Sequence, residues 1–302
     1  MKKIYWSLLT GYKMGLKLIL QFIITKLKVS TFKYYKFLYK QDNKKYNHKT
    51  LLTDPIKPCR IKKESYSNGS FTFLNETKKF NGWIPESSTL IWFFNLHYFE
   101  YILQNNINYK KSEELIIDWI NNCPIEAKTS WHPYPTSLRV CHWIWFYSEN
   151  YKSLTISNKN DILNSIFKQT IYLSWHLELE KEANHLLENI KALIISGIFF
   201  NKEKWIKKGL KILNKILKKQ VLNDGGHYEK SALYHLIVIE CLFSIYVALK
   251  VYNKSDKVLK NIKSKIIIMC EYLDKVIYQN QLPLFHDSSR VGYTNYKFLK
   301  AK

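Results

Sequence analysis

From Leu90 almost to the end of the chain, apolar residues recur three and four positions apart in one segment after another, with short polar links between segments. That spacing marks α-helices with one buried face. The segments lie near Asn95–Asn105, Ser112–Asn122, Thr136–Asn150, Asp161–Leu179, Ala183–Phe199, Lys202–Val221, Ser231–Tyr252 and Asp256–Tyr278. Trp205, Ile206, Gly209, Leu210, Ile212, Leu213, Ile216 and Leu217 show the pattern within one of them. Links this short fold each helix back on its predecessor as an antiparallel hairpin. An all-α domain of packed hairpins follows, as a bundle, a solenoid or a closed ring. No fixed sequence period of the tetratricopeptide kind is present.

The residues before Leu90 read differently. Met1 to about Lys40 is basic with apolar residues interspersed, and Lys13 and Lys17 interrupt its apolar run. No small-residue cleavage site follows, and the uncharged stretch Leu18–Thr25 is too short to cross a bilayer. An uncleaved amphipathic helix lying on a membrane surface or on the protein body is expected, in a cytoplasmic or membrane-peripheral setting. Gln41 to Glu86 forms a polar lead-in with Pro55, Pro58 and Pro85, and its alternating piece Ser70-Phe71-Thr72-Phe73-Leu74 predicts a strand.

A hydrophobic fraction of 46% over 302 residues excludes a disordered chain. The formal charge of +23 is almost all lysine, since Arg60, Arg139 and Arg290 are the only arginines. Lysine, asparagine and isoleucine are inflated together, so coding bias accounts for the charge as well as selection does. A chain this basic attracts polyanions through long-range fields. No zinc-finger spacing, RNA-binding aromatic signature or arginine-rich arm points to specific nucleic-acid binding. Cys59, Cys123, Cys141, Cys241 and Cys270 are odd in number and mostly within apolar patterns, as buried free thiols are, and show no metal-ligand spacing. Neither metal nor cofactor is expected.

Four stretches concentrate polar chemistry. Asp224-Gly225-Gly226-His227-Tyr228-Glu229-Lys230-Ser231-Ala232-Leu233-Tyr234-His235 lies between two helical patterns, with glycines that break the first and Ser231 suited to cap the second. Trp92 to Tyr101 embeds Asn95, His97 and Glu100 among aromatics. Trp131-His132-Pro133-Tyr134-Pro135-Thr136-Ser137-Leu138-Arg139 runs from a proline-held loop into a helix, with Ser137 or Thr136 as the expected cap. In Glu182-Ala183-Asn184-His185-Leu186-Leu187-Glu188-Asn189, helical spacing lets Asn184, His185 and Glu188 project on one side and Leu186, Leu187, Ile190 and Leu193 pack on the other.

Taken in order, these four blocks resemble the N-terminal domain of the heparinase II/III family of polysaccharide lyases, over roughly Trp83 to Tyr293. The resemblance implies an incomplete α/α toroid over residues 83–302, preceded by a helix and lead-in over 1–82. It also implies cleavage of uronic-acid polysaccharide by β-elimination. In that chemistry a uronate's carboxylate must be neutralised before its C5 proton can be removed. By resemblance Tyr234 is the catalytic tyrosine, His185 its histidine partner, and Asn184 and Glu188 orient the carboxylate. Tyr228 and Glu229 stand in reserve, and His97, Arg139 and His235 are further substrate contacts.

The departure from the pattern is the end of the sequence. After His286-Asp287-Ser288-Ser289-Arg290, which resembles the segment closing the toroid, the chain stops at Lys302 without the β-sandwich that lines one wall of the cleft in family members. A truncated or split enzyme, with a second chain supplying that wall, is one expectation. A non-catalytic saccharide-binding protein of surface-polysaccharide assembly is another. A toroid glycoside hydrolase using Asp224, Glu229 or Asp287 is a third, and would need two carboxyls roughly 5 to 10 Å apart.

Overall fold

A computed structural model describes residues 65–84, 88–127, 129–181, 184–252, 256–279 and 283–284. The expected N-terminal helix, the lead-in up to residue 64, Glu182, Ala183 and the segment His286–Arg290 lie outside them.

The described chain opens with three antiparallel strands, β1 (Tyr66–Ser67), β2 (Ser70–Phe73) and β3 (Glu76–Lys79), in the order β1-β2-β3. Both hairpin turns use left-handed residues, Asn68 with Gly69 and Leu74 with Asn75. The expected alternation on β2 holds, for Phe71 and Phe73 are buried against Trp92 and Tyr101 while Thr72 faces solvent.

Eight α-helices follow: α1 (Leu90–Tyr98), α2 (Tyr109–Asn122), α3 (Pro133–Asn150), α4 (Ile156–Trp175), α5 (Asn184–Phe199), α6 (Glu203–Gln220), α7 (Ala232–Val251) and α8 (Asp256–Val276). The first four helices start three to five residues before the sequence pattern sets them, α2 capped by Asn108 and α4 by Thr155. Thr89 caps α1 by accepting the Trp92 N–H, and Phe99 at φ 59° ends it, so the expected Asn95–Asn105 helix is instead α1 followed by a 3-10 turn, Glu100–Leu103. His132 caps α3, not Thr136 or Ser137, because Pro133 supplies a preset φ at the first helical position and the His132 ring accepts the Tyr134 N–H.

The helices form two rows. Inner helices α1, α3, α5 and α7 pack side by side, and α2, α4, α6 and α8 lie outside them. Burial explains the division: α3, α5 and α7 are covered nearly all round, whereas α6 hides Ile206, Gly209, Leu213, Ile216 and Leu217 and leaves its lysines in water. Apolar composition alone would let α7 cross a membrane, but here it lies mostly buried within these rows. Helix α6 sits close to α5 because two glycines meet isoleucines: a Cβ on Gly209 would lie 2.5 Å from Ile194 Cγ1, and one on Gly197 would lie 2.8 Å from Ile206 Cγ1.

Cross-contacts give the direction of the inner row. Helix α3 meets α5 at Ser137 with Asn189 and again at Tyr147 with Phe199. Helix α5 meets α7 at Glu188 with Cys241, and its end meets the end of α7 at Asn201 with Tyr252. In each pair both residue numbers rise together, so α3, α5 and α7 run parallel and their N-termini share one rim. Among the tryptophans, Trp83, Trp92, Trp131, Trp143 and Trp145 are core residues, whereas Trp175 is 43% exposed. The four described cysteines are free thiols.

Candidate functional site

The shared rim gathers the first turns of α3, α5 and α7. Backbone N–H groups in a helix's first turn lack intrahelical acceptors and carry the positive end of the dipole, which favours an anionic group. Helix α3 contributes only its dipole, since Pro133 and Pro135 have no N–H and the Tyr134 N–H is given to His132. Asn184 and His185 open α5 and are half-buried. Carried back four residues from the Glu188–Cys241 contact, the α5–α7 register sets Asn184 level with Ile237, so half-buried Tyr234 lies nearly one helical turn further out at the same end of the row. Ser231 caps that turn by accepting the Tyr234 N–H.

His185 is held from two sides. Its Nδ1 lies 3.1 Å from Glu178 Oε1, and its ring stacks on Tyr134 with centroids 4.1 Å apart and planes 23° apart. Glu178 comes from the link between α4 and α5, and its side chain is only 4% exposed. Lys181 Nζ sits 3.1 Å from the same Oε1 and His132 Nε2 at 3.8 Å. Asn189 fastens the link: its Oδ1 accepts the Glu178 N–H at 2.9 Å, and its Nδ2 donates to Ser137 on α3 at 3.0 Å. Burial pushes the Glu178 carboxyl up, but His185, His132 and Lys181 outweigh it and hold the group below the usual carboxylate range. His132, capping α3 and tilted against the Phe94 ring, is lowered by burial.

Four expected site residues are placed elsewhere. Glu188 has no exposed surface, because its carboxylate turns inward to Lys191 Nζ at 2.6 Å and to the Cys241 thiol at 3.1 Å. Burial opposes the Lys191 charge, but Cys241 and Glu188 keep the ammonium protonated. Glu188 therefore braces the core one turn inside the helix start, where α5 is already enclosed, while His185 stays half-buried at the rim. His97 is fully buried: Trp119 Nε1 donates to its Nδ1 at 2.9 Å, so Nε2 carries the proton toward the Trp83 carbonyl. Burial and neighbouring Arg139 lower it to about 3.

Arg139 is fully buried too. It donates to Gln169 Oε1, the carbonyls of His97 and Ser130, and Thr136 Oγ1, and its guanidinium lies 4.0 Å from the Trp119 ring centre. Burial pushes it down to about 9. His235, 2% exposed, turns its Nε2 to the Met269 carbonyl on α8. His97 and Arg139 are enclosed by the core, while His235 borders a small cavity lined also by His227, Lys230 and Tyr272.

The Asp224–Ser231 loop is folded on itself and on α8. Asp224 Oδ1 accepts the Gly226 N–H, Val221 bridges His227, and Gly225 at φ 88° packs so tightly that a Cβ would lie 2.1 Å from the Ile268 carbonyl oxygen. His227 is buried and lowered to about 4, by burial and then by His235, with Glu229 Oε2 3.7 Å from its Nδ1. Tyr228 is half-buried and raised, by burial and then by Glu229. Asp224 accepts from within its own turn, and Asp287 lies outside the described residues.

Similarity to known proteins follows the same blocks. Residues 91–300 match the family model described as Heparinase II/III N-terminus. The chain belongs to this family. A heparin-sulfate lyase of Pedobacter heparinus is 29% identical over 147 residues, 45% of this chain and 22% of that protein. One from Bacteroides thetaiotaomicron is 24% identical over 193 residues, 58% of this chain and 27% of that protein. The crystal structure of heparan sulfate lyase HepC from Pedobacter heparinus superposes with a TM-score of 0.55 at 20% identity, covering 83% of this chain and 42% of that one. A crystal structure of Heparinase III gives 0.50 at 17%, covering 88% and 48%. This chain spans about a quarter of the curated relatives it matches, and the structural likeness carries the toroid fold.

Sequence reasoning passed over Glu178, Lys181 and Asn189 as functional residues and quoted His132 and Tyr134 only as part of a motif. Glu178 stands seven residues before His185 in an irregular link and alternates with Glu180 and Glu182. No helical spacing singles it out.

Proposed function

We propose that this chain forms the helical part of a lyase acting on uronic-acid-containing acidic polysaccharide by β-elimination. The observation that supports the reading best is the rim itself, where Asn184, the oriented His185 and Tyr234 open two parallel inner helices. The relatives' names, heparin-sulfate lyase, point to the same substrate class. A uronate carboxylate set against Asn184 and the helix N-termini has its charge quenched by amide and backbone N–H donors. Tyr234 and His185 then divide the proton transfers: the C5 proton leaves, its electron pair forms the C4–C5 double bond, the C4–O bond breaks, and the leaving oxygen is protonated. Glu188, buried on Lys191, serves the fold that holds this rim. A β-rich partner chain completing the cleft belongs to the same proposal.

The test is incubation with a panel of uronic-acid polymers, reading the ultraviolet absorbance of the unsaturated uronate. Product that falls roughly 10²–10⁴-fold in Tyr234→Phe supports the reading. Product unchanged by Tyr234→Phe and by His185→Ala overturns these assignments. Binding of the polymers without any absorbance change favours the saccharide-binding protein instead.

A further inference from the structure

The geometry points to Glu178 as the positioning residue of this site, one that fixes the proton of His185 on Nδ1 and leaves Nε2 as the nitrogen offered to a substrate. An ionised carboxylate can only accept hydrogen bonds, so the 3.1 Å contact with Nδ1 requires that nitrogen to be the donor. The neutral ring then has its lone pair on Nε2, which can take a proton while Glu178 stays ionised and faces the imidazolium formed. Tyr134 covers one ring face, and the side chain keeps 29% of its surface exposed, so one orientation is held without closing the ring off.

Glu178 is itself well anchored. Asn189 holds its backbone N–H and lies 3.4 Å from Oε2, which leaves Oε1 to face His185, Lys181 and His132. His132 is the weaker claimant on that oxygen, at 3.8 Å, and its Nδ1 is already used to cap α3. Burial of the carboxylate beside these three partners suits a group that remains charged through the reaction.

The kinetic arm of the test rests on the lyase reading, and the spectroscopic arm does not. In the full-length chain with 15N-labelled histidine, above the ordinary titration range of imidazole, the His185 ring should carry its proton on Nδ1. In Glu178→Ala it should shift to the Nε2–H form that free imidazole prefers, and product formation should fall roughly 10²–10⁴-fold, more in kcat than in KM. Glu178→Gln keeps an acceptor oxygen and should retain the Nδ1 proton and more activity than Glu178→Ala. If the alanine variant fails to fold, the glutamine variant decides alone: loss of the Nδ1 proton there, or an Nε2–H ring in the unaltered chain, overturns the inference. So does a folded Glu178→Ala that keeps the Nδ1 proton. Should no polymer be cleaved by any variant, the lyase reading fails while the tautomer still decides the role of Glu178.

Discussion

Four buried ionisable side chains, Glu188, Lys191, His97 and His227, bear on the stability of the fold. Glu188 and Lys191 form a buried ion pair, and removing one partner of such a pair typically costs about 3–5 kcal/mol because the other is stranded. Lys191→Met should therefore lower the urea midpoint strongly, and Lys191→Met with Glu188→Gln should recover much of the loss. If Glu188 acted instead on substrate, Glu188→Gln would abolish turnover at temperatures where the protein stays folded. His97 adds a pH dependence. Its folded value near 3 lies below the ordinary 6.5, so the unfolded chain binds the extra proton between those pH values and stability falls as pH drops through that window. His227, near 4, acts in the same direction. Urea midpoints measured from pH 7 to pH 4 should decline, and His97→Asn should be less stable at pH 7 but decline less steeply.

Helices carry the next level of the account. Their existence was legible from periodicity because each outer helix must hide one stripe and each inner helix nearly everything. Starts were less legible. Pro133 and the His132 ring set the start of α3 through a cap that only the folded ring geometry reveals, and Phe99 ends α1 in a left-handed conformation seldom adopted by an aromatic residue. The fate of Glu188 was illegible for a related reason. Positions 184, 185 and 188 share a helical face in projection, yet α5 is enclosed on all sides after its first turn, so only Asn184 and His185 reach the rim. Close packing of α5 on α6 gives a test at this scale. Gly209→Ala should destabilise by about 1–3 kcal/mol through overpacking on Ile194. Combined with Ile194→Ala it should cost clearly less than the sum of the two single changes, as thermal unfolding would show.

At the scale of the molecule, parallel inner helices bring to one rim helix starts that the sequence separates by about fifty positions, and Asn184, His185 and Tyr234 are the residues that family resemblance names there. What resemblance could not supply was the orientation of those groups, because Glu178 reaches His185 from an irregular link and Asn189 ties that link to α3. The central claim is that this rim receives a uronate, and it is tested most directly by titrating a short uronic-acid oligosaccharide into protein with labelled histidine and tyrosine side chains. The expected result is saturable shifts at His185, His132, Tyr134 and Tyr234, with the buried rings of His97 and His235 unmoved. Shifts confined to residues away from the rim, or none at concentrations where the oligosaccharide binds, would contradict the account.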